Sequence, residues 1–378
     1  MEKSKIPFNK PHLTGKEIDY IYQAVNSGKI SGNGMFTKKC QTFFEEKYGF
    51  KKALLTTSCT DALEMTAILA KIEQGDEIIV PSYTFVSTAL AFVRHGAKII
   101  FADSRDDHPG IDENKIEDLI TEKTKAIVLV HYAGIACDMD KIMALSDKYN
   151  LIIIEDAAQA IDSYYKDKPL GSIGHMATFS FHETKNIISG EGGLIAINDE
   201  RFIDRAEIIW EKGTNRASFF RGEIDKYGWV DIGSSFLPSD IIAAYLWAQL
   251  ENLDSIQRKR ILLWDKYHVE LKDWAQEKKI KLPQIPDYST NNGHIFYLLC
   301  KNEEQRNQLI NILNYHKVNA VFHYLSLHRS KYYKDKYHGK ELKNSDFYTN
   351  CLLRLPLYYD LRYSEIEMIC DVIRSSDI

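Results

Sequence analysis

The sequence predicts an α/β protein with a mostly parallel central sheet in a large domain, followed by a smaller C-terminal α/β domain. Three observations predict this. Strand-length aliphatic runs alternate with helical patterns from Ala53 to Asn198, which is the signature of a parallel sheet covered by helices. One of those runs, Leu151-Ile-Ile-Ile-Glu-Asp156, is apolar at consecutive positions, as a strand buried on both faces requires. Beyond about Ser239 the pattern turns helical, passes through a loop-like stretch from Leu282 to Gly293, and resumes as a short α/β segment.

The strand-like runs are Ala53 to Ser58, Glu77 to Pro81, Lys98 to Ala102, Ala126 to Tyr132, Leu151 to Asp156, Thr178 to His182 and Gly193 to Asn198. The first leads through Ser58-Cys59-Thr60-Asp61-Ala-Leu-Glu64, where Asp61 and Glu64 stand at capping-box spacing. A helix starting there offers free backbone N–H groups to a phosphate, although the same residues serve equally as a plain cap. The second run continues into Val80-Pro-Ser-Tyr-Thr-Phe85-Val, which puts an aromatic ring at a strand's end. Such a ring either stacks on a flat ligand or fills core. The fifth run ends on Asp156, whose carboxylate emerges where open α/β sheets place ligands, or else caps the next helix. The sixth lies in Phe179-Ser-Phe-His-Glu-Thr-Lys185-Asn, and Gly190-Glu-Gly-Gly193 reads as a turn into the seventh.

A lysine amine can form a Schiff base with an aldehyde cofactor, and a carboxylate can hold a pyridine nitrogen protonated. Asp156 followed by Lys185, with the helix start at Ser58 and the ring of Phe85 before them, therefore suggests pyridoxal phosphate (PLP) chemistry. Each residue alone has an ordinary alternative: a solvated lysine, a capping acid, a core aromatic. Their order along the chain carries the reading.

After the seventh strand the pattern is helical from about Ser239 to Gln276. Strand-like His294 to Cys300, an amphipathic helix from Glu303 to Tyr315 and strand-like Val318 to Tyr324 complete the smaller unit. The expected division is a large PLP-binding domain over residues 1–250 and a small C-terminal domain over 251–378.

At these residues the chain resembles the PLP-dependent sugar-nucleotide aminotransferases, which have PLP fold type I. The resemblance runs from about Ile6 to the final helix. It is carried by Pro81-Ser-Tyr-Thr-Phe-Val-Ser-Thr, the Phe179-to-Asn186 segment, Lys212-Gly-Thr-Asn-Arg, Phe219-Phe-Arg-Gly, Asp231-Ile-Gly-Ser-Ser and Ala243-Ala-Tyr-Leu-Trp-Ala-Gln-Leu-Glu. The subgroup it is most similar to is the dTDP-4-amino-4,6-dideoxygalactose transaminases. The resemblance implies Lys185 as the Schiff-base lysine, Asp156 as the pyridinium partner and Gln159 as a donor to the cofactor's phenolic oxygen. It implies Phe85 stacked on the ring, with Cys59, Thr60 and Ser180 on the phosphate.

Many relatives have Gly-x-Asn-x-Arg where this chain has Gly233-Ser-Ser235-Phe-Leu237, and their Asn crosses to the other subunit's phosphate. Ser235 is the matching contact, which implies a homodimer with shared active sites. His323-Tyr-Leu-Ser-Leu-His328 resembles a segment beside the family's cleft, so His323 and His328 are candidate substrate contacts. Histidines that merely finish a strand and a turn are the alternative. Relatives with His at position 185 remove a sugar hydroxyl, whereas Lys favours transamination. The implied reaction takes dTDP-4-dehydro-6-deoxyglucose and L-glutamate to dTDP-4-amino-4,6-dideoxygalactose and 2-oxoglutarate, in the making of a surface polysaccharide. Amination at C3 is the alternative. A non-catalytic PLP-binding regulator is weaker, because no helix-turn-helix precedes the first strand-like motif. A nicotinamide-dependent sugar oxidoreductase is weaker too, because no Gly-x-Gly-x-x-Gly follows an early strand.

Composition is compatible with these readings. At 378 residues with 44% hydrophobic content the chain can bury a large core. A net charge of -5 argues against a basic nucleic-acid-binding surface. The six cysteines are dispersed, without Cys-x-x-Cys or metal-ligand spacing, so no metal is expected and a reduced cytoplasm is the simplest setting. No window approaches the roughly 18 apolar residues of a membrane helix, and no amino-terminal segment joins a basic region to an apolar stretch.

Overall fold

The computed structural model describes residues 5–376. Seven strands form the central sheet: β1 (Lys52–Thr56), β2 (Glu77–Pro81), β3 (Lys98–Ala102), β4 (Thr124–Val130), β5 (Ile152–Asp156), β8 (Met176–Ser180) and β9 (Gly193–Ile197). A two-stranded ribbon, β6 (Tyr164–Tyr165) and β7 (Lys168–Pro169), interrupts the run between β5 and β8. The sheet order is β1-β9-β8-β5-β4-β2-β3. Its middle is parallel, β3 to β2 to β4 to β5 to β8, while β9 runs antiparallel to both β8 and β1. The sheet is therefore mostly parallel, as the alternating pattern predicts.

Successive side chains of a strand point to opposite faces, and both faces here are covered. Leu55, Ile153 and Leu194 join one buried cluster with Phe36, Phe44, Ile142 and Ala243 of the helices Met35–Tyr48, Met139–Tyr149 and Asp240–Leu250. Their chain neighbours Leu54, Ile154 and Ile195 join the other, with Leu63, Phe92 and Ile209 of the helices Cys59–Leu69, Ser87–Val93 and Ile203–Trp210. Burial on both faces is the physical reason these strands read as unbroken aliphatic runs.

A separate core holds the C-terminal part. Leu263 and Tyr267 of the long helix Leu253–Lys278 pack with β10 (Phe296–Leu299), β11 (Leu352–Leu355) and the helices Glu303–Tyr315 and Tyr363–Arg374. Ile6 belongs to this core and bridges to Val318, so the start of the chain packs with its end. No helix among the described residues is long and apolar enough to cross a membrane.

Two sequence expectations need correcting. Val318 to Tyr324 forms no strand; Val318 bridges Ile6 and Val321 bridges Arg354, each as an isolated pair, because the segment turns from one partner to the next. The strand β10 pairs with β11, antiparallel with Phe296 opposite Leu355. The cap of the helix Cys59–Leu69 is Ser58, whose hydroxyl accepts from the Asp61 amide, while Glu64 pairs with Arg94 rather than closing a capping box.

Candidate active site

The parallel strands β4, β5 and β8 end together at Val130, Asp156 and Ser180, and these residues line a cavity of about 590 Å³. This is the carboxyl edge where open α/β sheets hold ligands. The C-terminal part adds Arg354 and Leu355 of β11 and, just before β10, His294 and Ile295. The cavity brings together Cys59, Thr60, Phe85, Asp156, Gln159, Ser180, Lys185 and His323.

Asp156 is 4% exposed at the end of β5. Its Oδ2 accepts from Thr88 Oγ1 at 2.7 Å and its Oδ1 from the Ala158 amide at 3.2 Å. The Thr84 hydroxyl lies 2.9 Å from that of Thr88, and since the Thr88 proton is committed to Asp156, Thr84 donates to Thr88. Both donors to Asp156 are neutral. Burial pushes the carboxyl above its ordinary value, with the Thr88 and Ala158 hydrogen bonds opposing.

Lys185 follows β8 in a turn closed by its amide donating to the His182 carbonyl. Its amine makes no hydrogen bond or ion pair with the other described residues. Burial lowers its pKa, which the Cys59 and Asp156 charges oppose and the Arg354 cation reinforces.

Ser58 caps the helix Cys59–Leu69 through the Asp61 amide, leaving the amides of Cys59 and Thr60 without a protein acceptor among the described residues. Thr60 Oγ1 lies 2.8 Å from Ser87 Oγ, and both line the cavity beside Ser180. Gly193 makes this cup possible, because a Cβ there would stand 2.4 Å from the Ser58 carbonyl carbon and 2.5 Å from the Cys59 nitrogen. The sequence reading took Gly193 only as part of a turn; its backing of the helix start is visible only in three dimensions.

Gln159 is oriented by both ends of its amide: Oε1 accepts from the Ala133 amide at 2.7 Å and Nε2 donates to Tyr324 Oη at 2.9 Å. Phe85 lies at the mouth, 55% exposed, its ring tilted toward Tyr324 at 6.1 Å. His323 stacks on Tyr324 at 3.6 Å, and its Nδ1 lies 2.6 Å from Tyr132 Oη. Burial holds it well below 6.5, so the ring is neutral.

Two candidates stand apart. His328 does not reach the cavity: its ring is buried, with Nδ1 2.7 Å from Ser82 Oγ and Nε2 3.6 Å from Asp346 Oδ1. It ties the end of β2 to the helix Lys343–Cys351 instead of facing a ligand. Ser235 lines a second groove with Lys29, Lys38, Lys212 and Arg216, and pairs with Glu211 in an isolated bridge. Thr88, Tyr324 and Arg354 were not singled out in the sequence. Thr88 sits inside an ordinary helical pattern, and the other two come from the distant C-terminal part.

The description DegT/DnrJ/EryC1/StrS aminotransferase family matches residues 11–374. The chain belongs to that family. It is similar to the spore coat polysaccharide biosynthesis protein SpsC of Bacillus subtilis, with 29% identity over 98% of this chain and 96% of that protein. Among solved structures, the PMP-form of Spr1654 from Streptococcus pneumoniae matches at TM-score 0.89 with 26% identity, covering 98% of each chain. Its PLP-form matches at TM-score 0.88. An aminotransferase from Psychrobacter cryohalolentis matches at TM-score 0.91 with 26% identity, again over 98% of each chain. The protein is thus a PLP-dependent sugar aminotransferase with an α/β fold consistent with PLP fold type I.

The cavity fits this cofactor on charge. A buried carboxylate with only neutral donors is suited to a cationic ring nitrogen, and a helix start with two free amides is suited to a phosphate. An unpartnered lysine lines the same space.

Proposed function

We propose that this enzyme transfers the amino group of L-glutamate to dTDP-4-dehydro-6-deoxyglucose, giving dTDP-4-amino-4,6-dideoxygalactose and 2-oxoglutarate. The observation that carries the transamination reading is the sharing of one cavity by Lys185 and Asp156. When bound, PLP supplies an electron sink for the carbon that loses its proton. Asp156 keeps the ring nitrogen protonated, with Thr88 holding the carboxylate in its ionised form. Cys59 and Thr60 at the helix start, with Ser180, hold the phosphate; Phe85 covers the ring, and Gln159 donates to the phenolic oxygen. Lys185 would tether the cofactor, and its amine would take the proton from the donor carbon that gives up nitrogen and, in the second half-reaction, deliver one to the sugar carbon that receives it. That shuttle needs a neutral amine, which burial beside a cation favours.

The sugar assignment rests on the long resemblance from Lys212 to Arg221 and from Asp231 to Glu251. His323 serves as a neutral contact to the sugar nucleotide. Ser235 reaches the phosphate of a second copy, so the active unit is a homodimer, with a large unit to about residue 250 and a small one after it, working in the cytoplasm. Amination at C3 is the second reading.

The deciding experiment incubates the PLP-loaded protein with L-glutamate and a panel of keto-sugar nucleotides, with the product assigned by NMR. An axial 4-amine from the dTDP-4-keto sugar is expected. Preferential conversion of a 3-keto isomer, or an equatorial 4-amine, refutes the substrate while leaving the aminotransferase in place.

A further inference from the structure

The turn that carries Lys185 is tied to the C-terminal part through the residue next to it. Asn186 is buried, and its Nδ2 donates to Gln257 Oε1 at 2.8 Å and to the Asn292 carbonyl at 2.9 Å, while its Oδ1 lies 2.8 Å from His294 Nδ1. Gln257 stands in the long helix Leu253–Lys278, and Asn292 and His294 lie just before β10. All four side chains are buried, His294 at 5% exposure. The remaining bonds close the network. Gln257 Nε2 donates to the Ile161 carbonyl, Asn292 Nδ2 to the carbonyls of Gln159 and Ile161, and Asn292 Oδ1 accepts from the His294 amide. Gly134 makes room for it, since a Cβ there would stand 2.1 Å from Asn292 Oδ1.

These bonds fix the tautomer of His294. A backbone carbonyl only accepts, so the end of the Asn186 amide that faces the Asn292 carbonyl is its NH2. The other end is the oxygen, which also only accepts, and His294 Nδ1 must bring the proton. Burial holds the ring well below its ordinary pKa, with nearby cations acting in the same direction, so the ring is neutral and Nε2 carries no proton. Within the turn the Lys185 amide bonds to the His182 carbonyl, and the Lys185 amine has no partner among the described residues. The tie to the C-terminal part therefore runs through Asn186. Without the His294 proton, the Asn186 oxygen becomes a buried acceptor with nothing to accept.

We propose that His294 is a positioning residue for Lys185: its Nδ1–H, acting through Asn186, holds the lysine-bearing turn against the C-terminal part, so that the amine stays in line with the proton it moves. This rests on the reading of Lys185 as the cofactor-bearing base. The test uses the full-length protein and treats the two ring nitrogens separately. The amide of His294→Asn reaches as far as Nδ1 and keeps a donor for Asn186, whereas that of His294→Gln reaches as far as Nε2 and gives that donor up. The readouts are the rate at which cofactor-free protein takes up PLP, followed by the absorbance of the lysine-bound cofactor, the melting temperature, and kcat and KM of each half-reaction. The donor half uses L-glutamate with PLP-loaded protein, and the sugar half a keto-sugar nucleotide with the pyridoxamine form. His294→Gln is expected to slow PLP uptake and to lower kcat of both halves by a common factor of roughly 10- to 100-fold, the range of an orphaned buried acceptor, with both KM values within about twofold. His294→Asn is expected to stay within about threefold of the unaltered enzyme throughout, because the bond to Asn186 is kept. The reverse order, or a rise in KM for one substrate alone, overturns the proposal in favour of Nε2 as a direct ligand contact. A lowered melting temperature in both variants with unchanged uptake and kcat overturns it in favour of a purely structural network. If neither variant folds, a neutron structure of the unaltered protein decides: deuterium on Nδ1 facing Asn186 upholds the tie, and deuterium on Nε2 alone overturns it. Borohydride label on a lysine other than Lys185 in the unaltered enzyme defeats the reading beneath the proposal, which is a different result from correct labelling with a His294→Gln variant that matches the unaltered enzyme.

Discussion

Asp156 is held between burial, which favours its neutral form, and two short-range donors, which favour its charge. Thr88 supplies the stronger of these. Thr88→Val keeps the shape and deletes the donor, so burial prevails and the carboxyl pKa rises further. A smaller ionised fraction follows at any given pH, and the loss deepens as the pH falls. A drop in kcat of roughly tenfold or more is expected from one charged hydrogen bond, checked by pH profiles at full PLP loading; a pH-independent loss points to misplacement instead. Lys185→Ala is expected to retain PLP but abolish turnover, and borohydride on the unaltered enzyme to fix the cofactor to the Lys185 peptide; label on another lysine overturns the assignment. Asp156 and Lys185 were legible in the sequence because an acid ending an aliphatic strand and a lysine just past another are local signals. Thr88 and Arg354 were not, because each acquires its role from a contact 68 positions away or from a sheet made by the other end of the chain.

At the scale of the element, the edge of the sheet depends on groups that face away from the cavity. Gly193 of β9 lets the backbone of Ser58 and Cys59 approach, so Gly193→Ala forces the helix start outward. Weakened PLP retention, measured by equilibrium dialysis, is expected with the global fold intact. Glu155, beside Asp156 in β5, is fully buried and accepts from the amides of Gly171, Ile173 and Gly174, with His131 Nε2 2.8 Å away. Burial alone would raise its pKa; the His131 hydrogen bond and charge and the backbone amides outweigh this and hold it below 4.5. Its stabilisation is therefore complete above that value and drains away as the pH falls through the lowered folded pKa. Glu155→Ala orphans three amides and a histidine, and about 3–5 kcal/mol of stability should be lost in chemical denaturation. Glu77 to Pro81 and Lys98 to Ala102 were read from the sequence to the residue, because buried parallel strands are marked by aliphatic runs. Val318 to Tyr324 was misread as a strand because the same alternation serves a segment that takes single bridges from two partners.

The whole molecule presents an apolar surface that a lone chain leaves in water. Phe220, Trp229, Val230 and Ile232 are 69%, 82%, 54% and 57% exposed, in the stretch that leads into Ser235. Large aromatic groups exposed together mark an interaction surface. The neighbouring groove carries Lys29, Lys38, Lys212 and Arg216, a cationic setting suited to phosphates. These features support the proposed homodimer, in which the Ser235 region of each copy faces the phosphate of the other's site. The resemblance alone drew attention to Ser235; nothing in its local sequence signals a role across subunits. Subunits carrying Lys185→Ala are to be dissociated, mixed with subunits carrying Ser235→Glu, and reassociated, each variant being inactive by itself. In a twofold-symmetric dimer with composite sites, half of the reassociated dimers are mixed and each has one intact site, so roughly a quarter of the unaltered activity should return. A site confined to one chain returns no activity on mixing, because Lys185→Ala subunits stay dead and the Ser235→Glu subunits gain nothing from a new neighbour. Full activity of a dilute monomer, seen by light scattering under assay conditions, overturns the shared site directly.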